Sequence, residues 1–278
     1  MNNPKQADLH IHTYYSDGTQ SPQEVVDEAV AAGLSCIAIT DHDVVDGVQL
    51  AQRAAQGRGL EVVAGIELSS EVGGKDIHIL GYFIDCQKGP LVERLEALQQ
   101  ARIERMKKMI SKLNEMNIGP IDLQEICALS QSKAVGRPHL AAVLQKKGFV
   151  SSLREAFDKY IGEGCPAYFT KYDQTPFEAI QLIKKSGGIA VMAHPMLTQK
   201  DELIPGFVQA GLDGIEVYYP YCSENVIKFY EGIARKHNLL TTGGSDAHGK
   251  AKEHTFIGKQ KIPYELVERM KETVDQRL

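Results

Sequence analysis

Apolar runs of strand length recur along the chain at 7–12, 35–40 ("SCIAIT"), 61–68 ("EVVAGIEL"), 77–83 ("IHILGYF"), 189–193 ("IAVMA"), 214–218 ("GIEVY") and 239–242 ("LLTT"). Runs this short, bounded by turn residues, read as buried strands. Helical patterns alternate with most of them. "SPQEVVDEAVAAG" opens with the capping pair Ser21 and Glu24, has Pro22 at the first helical position and ends near Gly33; Thr175, Pro176 and Glu178 repeat this grammar. Strand–helix alternation predicts a mostly parallel sheet, open or closed. "EVGGK" at 71–75 reads as a hairpin turn.

Between Pro90 and about Lys171 the alternation stops. Leu91, Leu95, Leu98, Ile103, Met106, Ile110 and Leu113 keep helical spacing until "NIGP", and shorter helices are expected over 122–130, 138–147 and 151–160. This predicts an α/β domain in two parts, 1–88 and 172–278, around a helical insertion, 89–171. "RIERMKKMISK" on the long helix reads as a solvated face rather than a nucleic-acid patch.

The polar residues set into these runs change the picture. His10 and His12 in "ADLHIHTYYSD" share strand parity with each other and with Asp8, so two imidazoles can meet one metal ion. Asp41, His42, Glu67, His194, Asp246 and His248 all fall at or just after the carboxyl ends of strand runs, the edge that carries active sites in parallel α/β folds. Asp17 and His78 need a loop or an irregular strand to join them. The nine candidates His10, His12, Asp17, His42, Glu67, His78, His194, Asp246 and His248 exceed the roughly four ligands of one tetrahedral zinc. Two or three divalent ions are expected, and the imidazole-rich set suits zinc, iron or manganese better than magnesium or calcium. His139 and Arg137 in "GRPHLA" read either as surface residues or as a phosphate clamp.

The 278 residues, 43% hydrophobic, suffice for a full-sized core. No stretch approaches the roughly 18 apolar residues that span a bilayer, and the first residues lack a signal-peptide core, so a cytoplasmic protein without a membrane partner is expected. Five scattered cysteines suggest reduced thiols rather than disulfides or a thiolate metal site. A net charge of −5 argues against duplex nucleic acid as a partner and requires a local positive site for any anionic substrate.

Taken together, "DLHIHT", "SDG", "TDHD", "GIELS", "HILGY", "AHP" and "GSDAH" resemble the polymerase-and-histidinol-phosphatase (PHP) family of metal-dependent phosphoesterases. The resemblance implies a distorted seven-stranded (β/α) barrel with a trinuclear site. It implies that His10, His12, Glu67 and Asp246 hold one ion, that Glu67 bridges to a second held by His78 and His194, and that Asp17, His42 and His248 hold the third. Asp41 would support a ligand, and His78, His194 and Asp246 would carry catalytic as well as metal-binding roles. The chemistry implied is attack on phosphorus by a hydroxide available at neutral pH, with Arg137, His139 and Lys171 orienting the phosphate. With the helical insertion, "GRPHLA" resembles the stand-alone group acting on nucleoside 3′,5′-bisphosphates or on the 5′ ends of short RNA. Histidinol phosphate as the substrate, amide hydrolysis on a related barrel, and a non-catalytic metal-binding module are the alternatives at this point.

Overall fold

The computed structural model describes residues 4–130, 135–170, 174–252 and 254–277. Its strands are β1 (Gln6–Ile11), β2 (Cys36–Ile39), β3 (Glu61–Val72), β4 (Lys75–Tyr82), β5 (Ile189–Met192), β6 (Gly214–Tyr218), β7 (Leu240–Gly243) and β8 (Ile262–Pro263). They form one sheet in the order β7-β6-β5-β4-β3-β2-β1-β8. The seven expected runs all appear; the eighth strand, only two residues long, pairs antiparallel with the start of β1 and carried no apolar run of its own. The sheet nearly closes where β1 meets the loop after β7, with His12 N–H donating to the Ala247 carbonyl at 2.9 Å. Gly244 sits at this seam because any Cβ there would collide with the His10 backbone.

The sheet is less parallel than expected. β4 runs antiparallel to both β3 and β5, since Gly73 and Gly74, both at positive φ, turn β3 straight back into β4. This reversal corrects the expectation for His78. An antiparallel strand starts at the rim where its neighbours end, so regular β4 delivers His78 there with no irregularity, opposite Ser69.

Alternate residues of five strands, among them Leu9, Ala38, Val63, Leu80, Tyr82 and Val191, share one buried cluster with Val267 and Met270 of the last helix, which marks the barrel interior. Glu67 continues the parity of Val63, and His78 that of Leu80, so these side chains stand directly above that apolar layer. In β1 the register with β2 shifts between Asp8 and Ile11. Ala7 and Leu9 lie in the interior cluster, whereas Ile11 packs outside against helices Pro22–Ala31 and Asp46–Ala55. The shift turns His10 and His12 inward at the rim. Both predicted capping boxes are formed, each worth about 1 kcal/mol: Glu24 and Glu178 accept from the Ser21 and Thr175 N–H groups at 2.7 Å.

The long helix Pro90–Glu115 joins two cores. Leu91, Leu95 and Leu98 pack on the outer face of the barrel, while Met106, Met109, Ile110 and Leu113 build a separate cluster with helices Leu123–Ser130 and Arg137–Lys146. Arg102 lies between the two groups and faces the barrel, nearly buried. The expected helix at 151–160 begins at Leu153 and widens into a π-turn over Phe157–Ile161. Among the described residues no helix is long and apolar enough to cross a membrane, and all five cysteines are free thiols.

Candidate metal centre

The rim gathers all nine ligand candidates. His10 Nε2 and His12 Nε2 stand 3.1 Å apart, and Glu67 Oε2 lies 3.2 Å and 3.1 Å from them. Asp246 Oδ1 adds contacts of 3.5 Å and 3.3 Å to the same two nitrogens. On the other Glu67 oxygen, Oε1, His78 Nδ1 and His194 Nε2 converge at 2.8 Å and 3.1 Å. Asp17, supplied by the loop after β1, lies 3.3 Å from His248 Nε2 and 3.9 Å from His42 Nε2. Three overlapping groups have ligand spacing: His10, His12 and Glu67; His42, Glu67 and His78; His12, Asp17, His42 and His248.

The donor set fits metal ions. Asp17 Oδ1, His42 Nδ1 and His194 Nδ1 are buried with no hydrogen-bond partner, a costly state unless a cation takes their lone pairs. Burial would push the Glu67 carboxyl up, but His42, His78 and His10 hold it well below the usual range; Asp17 and Asp246 are held low by the same kind of contest. Burial keeps the His42 imidazole neutral despite Glu67 and Asp17. It works against charge on His12 as well, yet Asp246 and Glu67 raise that pKa to about 9. Anionic carboxylates among nitrogen donors form a cation site. His194 and Asp246 both adopt positive φ, which glycine would hold without cost, so the rim loops store strain at two ligand candidates.

A shell of supporting groups fixes these side chains. Asp41 is not directed at the cluster; it accepts from Thr13 N–H at 2.7 Å, Thr13 Oγ1 at 2.6 Å and Ser16 Oγ at 2.6 Å, pinning the turn between His12 and Asp17. Asp8 stays outside the cluster too, accepting from the Ser245 and Gly258 backbones at 2.8 Å, with burial pushing its carboxyl up to about 6. Glu216 was missed by the sequence analysis. Fully buried in β6, it faces His10 Nδ1 at 3.0 Å and accepts from the His194 N–H at 2.8 Å, so it directs His10 Nε2 toward the other ligands. Its signal was a lone acid inside the apolar run "GIEVY".

Beside the ligands, a cavity of about 160 Å³ is lined by Asp17, His42 and His78 together with Arg102, Arg105 and Arg137. Arg102 Nε donates to Asp43 at 2.8 Å and its Nη2 to Ser69 Oγ at 2.8 Å. Arg137 Nη2 donates to Asp76 at 2.9 Å, with the guanidinium over the Tyr168 and Phe157 rings. Arg105 Nε donates to the Phe169 carbonyl at 2.7 Å, but its Nη2 is buried and unpartnered; burial, Arg137 and Arg102 bring its pKa down to about 10. The solvated-face reading of the long helix therefore holds for Lys107 and Lys108, which are exposed, and fails for Arg102 and Arg105 just before them. His139 does not line the cavity. Its Nδ1 accepts from Gly136 N–H at 3.0 Å, and burial lowers its pKa in spite of Asp17 nearby. Lys171 lies outside the described residues.

The PHP domain family model matches residues 8–265. The chain belongs to the PHP domain family. Among PHP relatives, the 3′,5′-nucleoside bisphosphate phosphatase of Chromobacterium violaceum is 32% identical over 90% of each chain. The 5′-3′ exoribonuclease Rnm of Escherichia coli is 34% identical over 87% of this chain and 84% of its own. A candidate metal-dependent phosphoesterase from Bifidobacterium adolescentis, solved by crystallography, superposes with a TM-score of 0.86 at 29% identity, covering 95% of this chain and 94% of the other. This PHP protein is a metal-dependent hydrolase of phosphoester bonds.

Proposed function

We propose that the substrate is a nucleotide bearing a 5′-phosphate and a phosphoester on its 3′-oxygen: a nucleoside 3′,5′-bisphosphate, or the first nucleotide of a short 5′-phosphorylated oligoribonucleotide. The observation that carries this reading is the cavity bounded by ligand candidates on one wall and by Arg102, Arg105 and Arg137 on the other. A substrate with a single phosphate satisfies one wall only. The unpartnered Arg105 Nη2 asks for an anion of its own. The names of the C. violaceum and E. coli relatives support the same substrate class.

In this reading His10, His12, Glu67 and Asp246 hold one ion, Glu67, His78 and His194 a second, and Asp17, His42 and His248 a third, of manganese, iron or zinc. Such ions supply a water of lowered pKa and positive charge facing the phosphoryl oxygens. Glu67 is shared between two positions because its oxygens face different histidines, Oε2 toward His10 and His12 and Oε1 toward His78 and His194. Arg105 and Arg137 bind the 5′-phosphate. Arg102, committed to Asp43 and Ser69, fixes the wall rather than the ligand. His139 joins the first turn of its helix to the loop that carries Asp17 and acts by positioning.

Histidinol phosphate fits less well, since its ammonium group would face like-charged guanidiniums. Rates on a nucleoside 3′,5′-bisphosphate, a 5′-phosphorylated dinucleotide and histidinol phosphate, measured with manganese-loaded protein, test the reading. The first two should be hydrolysed at least tenfold faster in kcat/KM; a preference for histidinol phosphate overturns it.

A further inference from the structure

Tyr221 and Phe256 are among the most exposed large side chains, at 69% and 55%. Nothing in the core requires them. Tyr221 follows β6 on the rim that carries the ligands, and Phe256 lies on the segment that runs from that rim after β7 back to β8 beside the start of β1. Their segments are tied to one ligand candidate. Tyr219 Oη donates to Asp246 Oδ2 at 2.8 Å, and Thr255 Oγ1 donates to the Asp246 carbonyl at 3.2 Å. Tyr221 Oη then donates to the His254 carbonyl at 2.6 Å, joining the two segments. Lys259 Nζ stands 4.9 Å from the Tyr221 ring centre and 5.5 Å from that of Phe256. Tyr221 holds a φ of 64°, an unfavourable conformation for a bulky residue.

We infer that Tyr221 and Phe256 form a shelf beside the metal centre that stacks the base of the nucleotide following the scissile ester in a short single-stranded RNA. The inference rests on the 3′-phosphoester reading above and extends it from the first nucleotide to the second. Charge selects the occupant. Within 249–259 the sequence carries Lys250, Lys252 and Lys259 against one acid, Glu253, although the chain as a whole carries −5; Lys252 is committed to Asp246 Oδ2, which leaves Lys250 and Lys259 for a ligand. Aromatic rings beside lysines suit a polyanion with π faces, and every base offers such a face whatever its sequence. A nucleoside bisphosphate ends at its 3′-phosphate and has no second base to place there. The shelf therefore favours an RNA end over a bisphosphate without touching the reacting atoms.

The test is fluorescence anisotropy of metal-loaded protein with a 3′-fluorescein-labelled, 5′-phosphorylated RNA pentamer whose phosphorothioate linkages resist turnover. It is read beside kcat/KM on the unmodified pentamer and on a nucleoside 3′,5′-bisphosphate. Tyr221→Ala should weaken pentamer binding roughly tenfold and lower the pentamer-to-bisphosphate ratio of kcat/KM by a similar factor. Tyr221→Trp should restore both, and Phe256→Ala should repeat the loss. Unchanged pentamer affinity in Tyr221→Ala overturns the shelf, as does a fall in both activities that leaves their ratio intact. If the wild type fails to bind the pentamer yet hydrolyses the bisphosphate, the shelf falls and the substrate reading stands. If it binds the pentamer through Tyr221 but cleaves neither compound, the substrate reading falls instead.

Discussion

The two walls of the site are deficient in opposite senses. On the barrel wall, nitrogen and carboxylate lone pairs crowd to about 3 Å of one another with too few protons between them, a geometry that cations complete. On the wall from the helical insertion, three guanidiniums face a common space, and one lacks a partner for a buried donor, a geometry that anions complete. A phosphorylated substrate answers both. On the proposed reading, hydrolysis and recognition fall to separate parts of the chain, and each should be open to damage without the other.

The largest effect should come from the barrel wall. Exhaustive chelation, or His10→Ala, should abolish turnover of every phosphoester substrate while far-ultraviolet circular dichroism stays native; full activity in a demonstrably metal-free sample sinks the metal-dependent mechanism. Glu216→Gln should lower metal affinity roughly 10- to 100-fold by releasing the orientation of His10, as measured by metal titration of activity. The insertion wall should respond differently. Arg105→Ala should raise KM for a nucleoside bisphosphate roughly tenfold or more, the loss of a charge-assisted hydrogen bond, while kcat on a simple aryl phosphate stays within about twofold. A fall in kcat on both substrates would erase the division between walls. Asp43→Asn strips a buried guanidinium of its counter-charge and should cost about 3 kcal/mol of stability in a denaturant titration. Lys107→Ala, on the exposed side of the same helix, should change neither KM nor stability by more than about 0.5 kcal/mol.

The two walls also differed in how far the sequence revealed them. Strand ends share one edge by construction, so histidines and acids placed there must converge, and His10, His12, His42, His194, Asp246 and His248 could be named from their positions alone; Glu67 closed the apolar run 61–68, although β3 continues past it to Val72. His78 was named without its route, because only the backward run of β4 explains how the beginning of a strand reaches the rim. A helix offers no such common edge. Arg102 and Arg105 differ from Lys107 and Lys108 only in angle around one axis, and their direction was set by how the helix docks on the barrel. Glu216 was hidden for another reason: an acid in an apolar strand reads as an exception until the histidine it orients is seen beside it.

The helix Pro90–Glu115 gives this arrangement a mechanical consequence. Its 26 residues make a rod of roughly 39 Å whose first turns are bolted to the barrel by Leu91, Leu95 and Leu98 and whose later turns are the spine of the insertion. On the proposed reading, the gap between the two phosphate positions is therefore gauged like the jaws of a caliper, by the phase and pitch of a single shaft. One residue inserted between Leu98 and Arg102 would swing both arginines by about 100° and advance them by about 1.5 Å, leaving the hydrolytic jaw intact and the measuring jaw pointing elsewhere.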